Sequence, residues 1–211
     1  MSIYHTIKSF FAKDTRSAGY NPTAWEYTWF GAPTNSGITI NRETALAHAG
    51  VWACCKVLAE SLASLPIGLF QNQNGVIGEL TNDTRHRLLS SEPSPLYNSY
   101  DFFTTGMLHV CTDGNFYALI GRDGNNRPNK LTIVQNPGGV LIELDPNGEL
   151  WYKIPGIALP VRPKDIIHIK NISYDGLKGK SPITVFRENI GLGIATTRTQ
   201  GSLWKNSTLM S

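Results

Sequence analysis

The feature that most constrains this chain is a change of hydrophobic period at Asp113-Gly114. Upstream, residues 42–65 repeat apolar side chains at helical spacing, so that Leu46, Val51, Cys54, Cys55, Leu58, Leu62 and Leu65 share one broad face. Asn41 is placed to cap this helix and Pro66 to stop it; alanines at 45, 47, 49, 53, 59 and 63 favour it, and Gly50 is its one weak point. A second helix is predicted from Tyr100 to Cys111, capped by Ser99 and ended by Asp113-Gly114. Downstream the apolar residues fall into short runs divided by turn residues: NFYALIGRDG, KLTIVQ, GVLIEL, ELWYKI and DIIHIK. Asp145-Pro146-Asn147-Gly148 is the clearest hairpin turn among them. Helices followed by short strands predict an α+β fold, with helices packed on a small, mostly antiparallel or barrel-like sheet.

The flanking segments complete the plan. IGLF (residues 67–70) is predicted as a strand, QNQNGVIG as a turn, and His86 to Leu89 as the centre of a short helix. A final helix starts at Pro182 and runs to about Asn206, since Ile183, Phe186, Ile190 and Ile194 keep the 3.6-residue period. At the other end Ile3, Ile7, Phe10 and Phe11 form an amphipathic start. It is followed by a Gly/Pro/Asn/Ser/Thr-rich stretch carrying Tyr20, Trp25, Tyr27, Trp29 and Phe30. Such rings mark an arm that lies on its own domain or docks on a neighbour. The expected organisation is an arm at 1–36, an α+β domain at 37–180 and a C-terminal helix at 181–211.

With 211 residues, 41% hydrophobic and 17% charged, the chain can bury one sizeable core and is not disordered. A net charge of +3 permits contact with an acidic polymer but lacks the clustered basicity of a dedicated nucleic-acid module. The three cysteines, Cys54, Cys55 and Cys111, offer neither a disulfide framework nor zinc-ligand spacing, which suits a reducing compartment. No run approaches the roughly 18 apolar residues of a membrane span, and the first residues lack the features of a secretory signal. A cytosolic, soluble protein is expected, in which Asn82, Asn171 and Asn206 are not glycosylated despite their N-x-[ST] context.

One stretch raises the question of catalysis. In YDGLKGKSPI (residues 174–183), Gly179-Lys180-Ser181 follows a strand and precedes a helix, as the end of a phosphate-binding P-loop does. The P-loop pattern demands a glycine where Tyr174 stands, and Ser181-Pro182 has the form of an N-cap followed by proline at the first helical position. A nucleotide-binding enzyme using Lys180 and Ser181 is therefore the lesser reading, and a glycine-rich connection ending in a cap the greater. His109 and Cys111 lie two apart on a helix and do not face each other. His168 falls on the polar face of a half-buried strand. The aspartates at 83, 101, 113, 123, 145, 165 and 175 suit turns and caps. No catalytic residue, cofactor site or metal site is predicted. The last helix carries Arg187, Arg198 and Lys205 against Glu188 alone, which makes these three the candidates for contact with DNA or another subunit, against the plainer reading of a solvated face. Gly191, Gly193 and Gly201 on the same helix allow either close approach by another chain or a bend.

Taken in order, four blocks resemble the N-terminal half of portal proteins of tailed double-stranded DNA phages: TALAHAGVWACCKVLAESLASLPIGLF, HRLLSSEPSPLYNSYDFF, DGNFYALIGRDGNNRP and DIIHIKNISYDGLKGKSPI. The resemblance covers residues 40–205 and not the first 35. It implies a ring-forming head-to-tail connector, usually a dodecamer, at one capsid vertex of the virion, assembled in the host cytoplasm. Implied partners are the major capsid protein, a terminase that carries the ATPase, a head-tail adaptor, and double-stranded DNA passing through the channel. The body would be the wing domain and the last helix the start of the stem; no catalytic residue or cofactor is implied. Family members are much longer, so a truncated or partial chain is expected, and a non-portal virion adaptor is a further alternative.

Overall fold

The computed structural model describes residues 31–145 and 148–207. The predicted amphipathic start and the arm's aromatic residues lie outside the described residues, as do Pro146 and Asn147 of the hairpin turn. The fold is α+β, and among the described residues every strand pairing is antiparallel.

Its centre is strand β5 (Asn115–Arg122), paired on one side with β6 (Pro128–Ile133) and on the other with β9 (Ile166–Lys170). Side chains alternate across a strand, and β5 buries both sets. Phe116 and Ala118 join Leu88, Phe102 and Leu131 beneath the helices. Tyr117 joins Val134, Val140, Tyr152, Ile154 and Ile166 on the opposite face. That second face is covered by the hairpin β7 (Leu141–Leu144) and β8 (Leu150–Lys153). The unbroken apolar run FYALI follows from this, because a strand covered on both faces cannot afford polar residues on either.

The helices depart from the predicted outlines at their ends. The single helix expected over residues 42–65 is two: α1 (Arg42–Leu46) and α2 (Ala49–Ala63). Asn41 caps α1 as expected, in a capping box with Thr44. At His48 the backbone turns extended (φ −78°, ψ 120°) and restarts as α2. The imidazole occupies space left by Gly50 and Gly193, where an added Cβ would come within 3.3 and 2.9 Å of its ring. The broad apolar face also narrows, since Cys55 and Ala59 are buried while Cys54, Leu58 and Leu65 are exposed. The expected strand at 67–70 followed by a turn is instead a hairpin of β3 (Phe70–Gln73) and β4 (Val76–Glu79), exposed along its whole length. Asn74 and Gly75, both at positive φ, make its turn.

Helix α3 (Thr84–Ser90) is capped by Asp83, and α4 (Ser99–Asp113) by Asn98, whose side chain accepts the Asp101 N–H. Ser99, the predicted cap, is the first helical residue and donates its hydroxyl to the Leu89 carbonyl (2.6 Å). Gly114, at φ +77°, ends α4 in the left-handed conformation and turns the chain into β5. The final helix is also divided: α5 (Pro182–Val185) ends at Phe186, and α6 runs Arg187–Ser207. A third apolar cluster, Ile40, Ala45 and Ile183 with Val51, Ile190 and Ile194, packs α5 and α6 against α1, α2 and the short pair β1 (Ala32–Pro33) and β2 (Thr39–Ile40).

Candidate functional site

The site is the place where the segment after β9 crosses the α4–β5 corner and launches the last helices. Two glycines let the backbones cross. A Cβ on Gly114 would collide with the backbone of Lys180, and one on Gly179 with the Gly114 carbonyl. Asn115, fully buried, ties the crossing from both sides. Its Oδ1 accepts the Gly179 N–H (2.7 Å) and its Nδ2 donates to the Gly179 carbonyl (2.8 Å). Asn171 N–H donates to the Gly114 carbonyl (2.8 Å), and the Ser181 hydroxyl donates to the Thr112 carbonyl (2.5 Å) while its oxygen accepts the Thr184 N–H. Ser181 therefore caps α5, with Pro182 at its first position, as the sequence predicts.

Around this crossing, charge is buried in pairs or bonded to backbone. Arg42 Nη2 meets Asp113 Oδ2 at 2.5 Å, and the Asp113 side chain is 1% exposed. Asp113 is thus no simple turn aspartate, unlike Asp83, Asp123 and Asp175, which accept local backbone N–H groups. Lys178 Nζ donates to the Val140 (2.8 Å) and Gly138 (3.2 Å) carbonyls, and burial lowers its pKa. His168 is not on a polar face: its ring stacks on Tyr117 (centroids 4.3 Å), with Nε2 3.1 Å from Asn115 Oδ1 and Nδ1 3.3 Å from the Tyr152 hydroxyl. Burial, with Lys170 and Lys178 nearby, lowers its pKa to about 4 and keeps it neutral. His109, near Phe116, is likewise brought to about 4 by burial.

The geometry removes the phosphate-cradle reading of YDGLKGKSPI. A P-loop needs successive backbone N–H groups facing one anion. Here the Gly179 N–H goes to Asn115, the Lys180 N–H to the Ile172 carbonyl, and those of Leu177 and Lys178 to the Asp175 carboxylate. The Lys178 N–H and the Ser173 hydroxyl, with the Leu177 N–H, hold Asp175 down at about 2, so a carboxylate sits where a phosphate would have to be. Lys180 lies over the Tyr174 ring, 5.2 Å from its centroid.

The three candidate cations share one helix face. Arg187, Arg198 and Lys205 are eleven and then seven positions apart on α6, close to three and two whole turns at about 3.6 residues each. The same stripe contains Gly191, packed on Thr34, and Ile194, packed in the third cluster. Arg187 is half-buried there beside Glu188 (3.7 Å). Arg198 lines a hollow of about 520 Å³ with Ile38, Thr44 and His48, and Lys205 lies a further two turns out. Gly191 and Gly193 thus serve close approach within the chain, to Thr34 and His48, whereas Gly201 faces open space. From Thr196 to Ser207 every residue of α6 is exposed, including Leu203 (64%) and Trp204 (78%).

Sequence reasoning missed two groupings. Asn115 and Gly179 are 64 positions apart, and no local pattern announces their contact. Cys54, Cys55 and Cys111, from α2 and α4, line one largely apolar groove of about 660 Å³ together with Val51, Met107, Ile183 and Phe186. Paired apolar cysteines in two helical stripes were the one available hint.

Together these features define an α+β structural module with a tightly clamped corner from which a long helix leaves the body. The sequence profile described as phage portal protein matches residues 49–211, and the chain belongs to that family. The portal protein of Enterobacteria phage HK97 is 26% identical over 171 residues, 80% of this chain and 40% of that one. The chain therefore spans well under half of this relative's length. In fold it is similar to a chain from the neck of an empty gene transfer agent particle (TM-score 0.64, 16% identity, 100% of this chain and 52% of that one). It is also similar to an HK97-family phage portal protein from Corynebacterium diphtheriae (TM-score 0.54, 12% identity, 77% and 49%).

Proposed function

We propose that the chain is the wing portion of a portal protein and acts as one subunit of a ring-shaped channel at a capsid vertex, through which double-stranded DNA is packaged and ejected. Residues 37–180 form the wing, 1–36 an arm, and 181–211 the start of the stem. The observation that carries this is the outer half of α6, which leaves the body with the large apolar side chain of Leu203 64% exposed and with Arg198 and Lys205 on one face. A helix exposed on all sides and bearing large apolar groups needs neighbours. A ring of identical subunits supplies them on both flanks. Similar chains from gene transfer agent necks, one with sixfold and one with twelvefold symmetry, support a closed ring, here read as a dodecamer.

Arg187, Arg198 and Lys205 contact neighbouring subunits or passing DNA. Phosphate contacts of this kind are sequence-independent and salt-sensitive, and they must be weak, since tight binding would stall translocation. The portal reading brings with it the major capsid protein, a terminase and a head-tail adaptor as partners, assembly in the host cytoplasm, and no catalytic role. Electron microscopy of the full-length protein tests it. Rings with a central channel are expected, weakened by Arg198→Glu with Lys205→Glu; a strictly monomeric particle refutes the reading, and small open oligomers point to a virion adaptor instead.

A further inference from the structure

The groove of about 660 Å³ is lined by Leu58 of α2, Met107 and Val110 of α4, and Ile183 and Phe186 of the last helices. It is open to solvent, since Leu58 and Phe186, with Val185 beside it, are each more than half exposed. The same holds for Leu192 and Leu203 on α6. Leu192, Thr196, Thr199 and Leu203 follow one another at spacings of four, three and four, so they share one side of that helix. At about 3.6 residues per turn, this side lies away from the stripe of Arg187, Arg198 and Lys205. The chain thus carries a concave apolar surface and a projecting apolar line. We propose that the groove receives the outer half of α6 from a neighbouring copy of the same chain, with the Leu203 side of that helix laid against Leu58 and Phe186.

Area and symmetry both point to a second copy. Five large apolar side chains more than half exposed leave on the order of 500 Å² in water, as much as the largest patch of an ordinary monomer and more than half of the roughly 800 Å² that each partner gives to a stable interface. In a closed ring every subunit turns one patch to one neighbour and a different, complementary patch to the other. A groove and an apolar helix side form such a pair, and a helix laid in a groove is a recurring mode of recognition. The similar neck chains come from assemblies of sixfold and twelvefold symmetry. The contact also keeps the cationic stripe on the far side of α6, where it can meet DNA. The proposal rests on the ring reading above and states which two surfaces the ring joins.

Cys54 lines the groove and is exposed, which makes it a built-in reporter. The test uses full-length protein carrying Leu203→Cys, assembled from a mixture of isotope-labelled and unlabelled copies and treated with a short bismaleimide. The expected result is a ladder of covalent oligomers that the parent does not give, with mass spectrometry joining position 203 of one copy to Cys54 of another. Leu58→Glu with Phe186→Glu should convert rings to monomers of unchanged circular dichroism, because both side chains already meet solvent in the single chain. If the parent forms rings by electron microscopy but position 203 links to no groove cysteine, or only within one copy, the proposal is overturned while the ring reading stands. Rings that survive both glutamates overturn it equally. A parent that forms no ring removes the ring reading, and the proposal with it.

Discussion

Replacing Asn115 with alanine should release the crossing that aims the last helices. The side chain bonds both backbone groups of Gly179 and faces His168 Nε2, and the site is fully buried. Alanine leaves the Gly179 N–H and C=O without partners in a place too tight for them to turn to water. An orphaned buried polar group costs about 1–3 kcal/mol, so two cost about 2–6 kcal/mol, a large share of the roughly 5–15 kcal/mol that holds a domain together. The loss should be local in structure as well as global in energy. In urea unfolding the midpoint should fall with little change in slope, and in hydrogen exchange the Gly179 and Lys180 amides should lose protection before those of β5. Asn115→Asp keeps the Oδ1 acceptor but sets a carboxylate oxygen against the Gly179 carbonyl, and should be no better than alanine. A loss under about 1 kcal/mol for Asn115→Ala, with Gly179 still protected, would refute the idea that this amide clamps the corner; at that size the change would match an ordinary single hydrogen bond.

Two further outcomes follow from the same corner. Asp113→Ala removes the buried carboxylate that the Arg42 guanidinium meets at 2.5 Å; breaking such a pair costs about 3–5 kcal/mol, and the 22% exposure of Arg42 puts the loss at the lower end, measurable as a shift in denaturant midpoint. The chain should also lose stability in mild acid. His109 and His168 are held at about 4 in the fold against a usual 6.5, so between those values the unfolded chain binds more protons. Their contribution is fully present above pH 6.5 and is lost as pH falls toward 4. Thermal midpoints measured across this window should drop steeply, and His168→Gln should flatten the slope; a pH-independent midpoint contradicts the burial argument.

Much of the local structure was readable beforehand, and residue by residue the reasons are clear. Asn41 and Ser181 cap helices because their short side chains reach the backbone N–H three residues on, a relation contained in a few consecutive residues. The period change at Asp113-Gly114 marks the true passage from helix to strand for the same reason. Tyr174 and Pro182 argued against a phosphate cradle, and the bonded N–H groups of 177–180 supply the physical ground. The helix breaks were less legible. Gly50 marked a local weakness without fixing a break at His48, whose ring fits into room left by both Gly50 and the distant Gly193.

By itself, then, the amino-acid sequence determined which segments are helix or strand, where they are capped, and the order of blocks that marks the family. Tertiary structure alone decided that Asn115 would grip Gly179, that the cysteines of α2 and α4 would line one groove, that His168 would be neutral beneath Tyr152, and that the stripe of Arg187, Arg198 and Lys205 would begin against the body and end beyond it. Periodicity and capping act over one or two helical turns. These other contacts join residues dozens of positions apart, and their partners are set by how the helices and sheet pack as a whole.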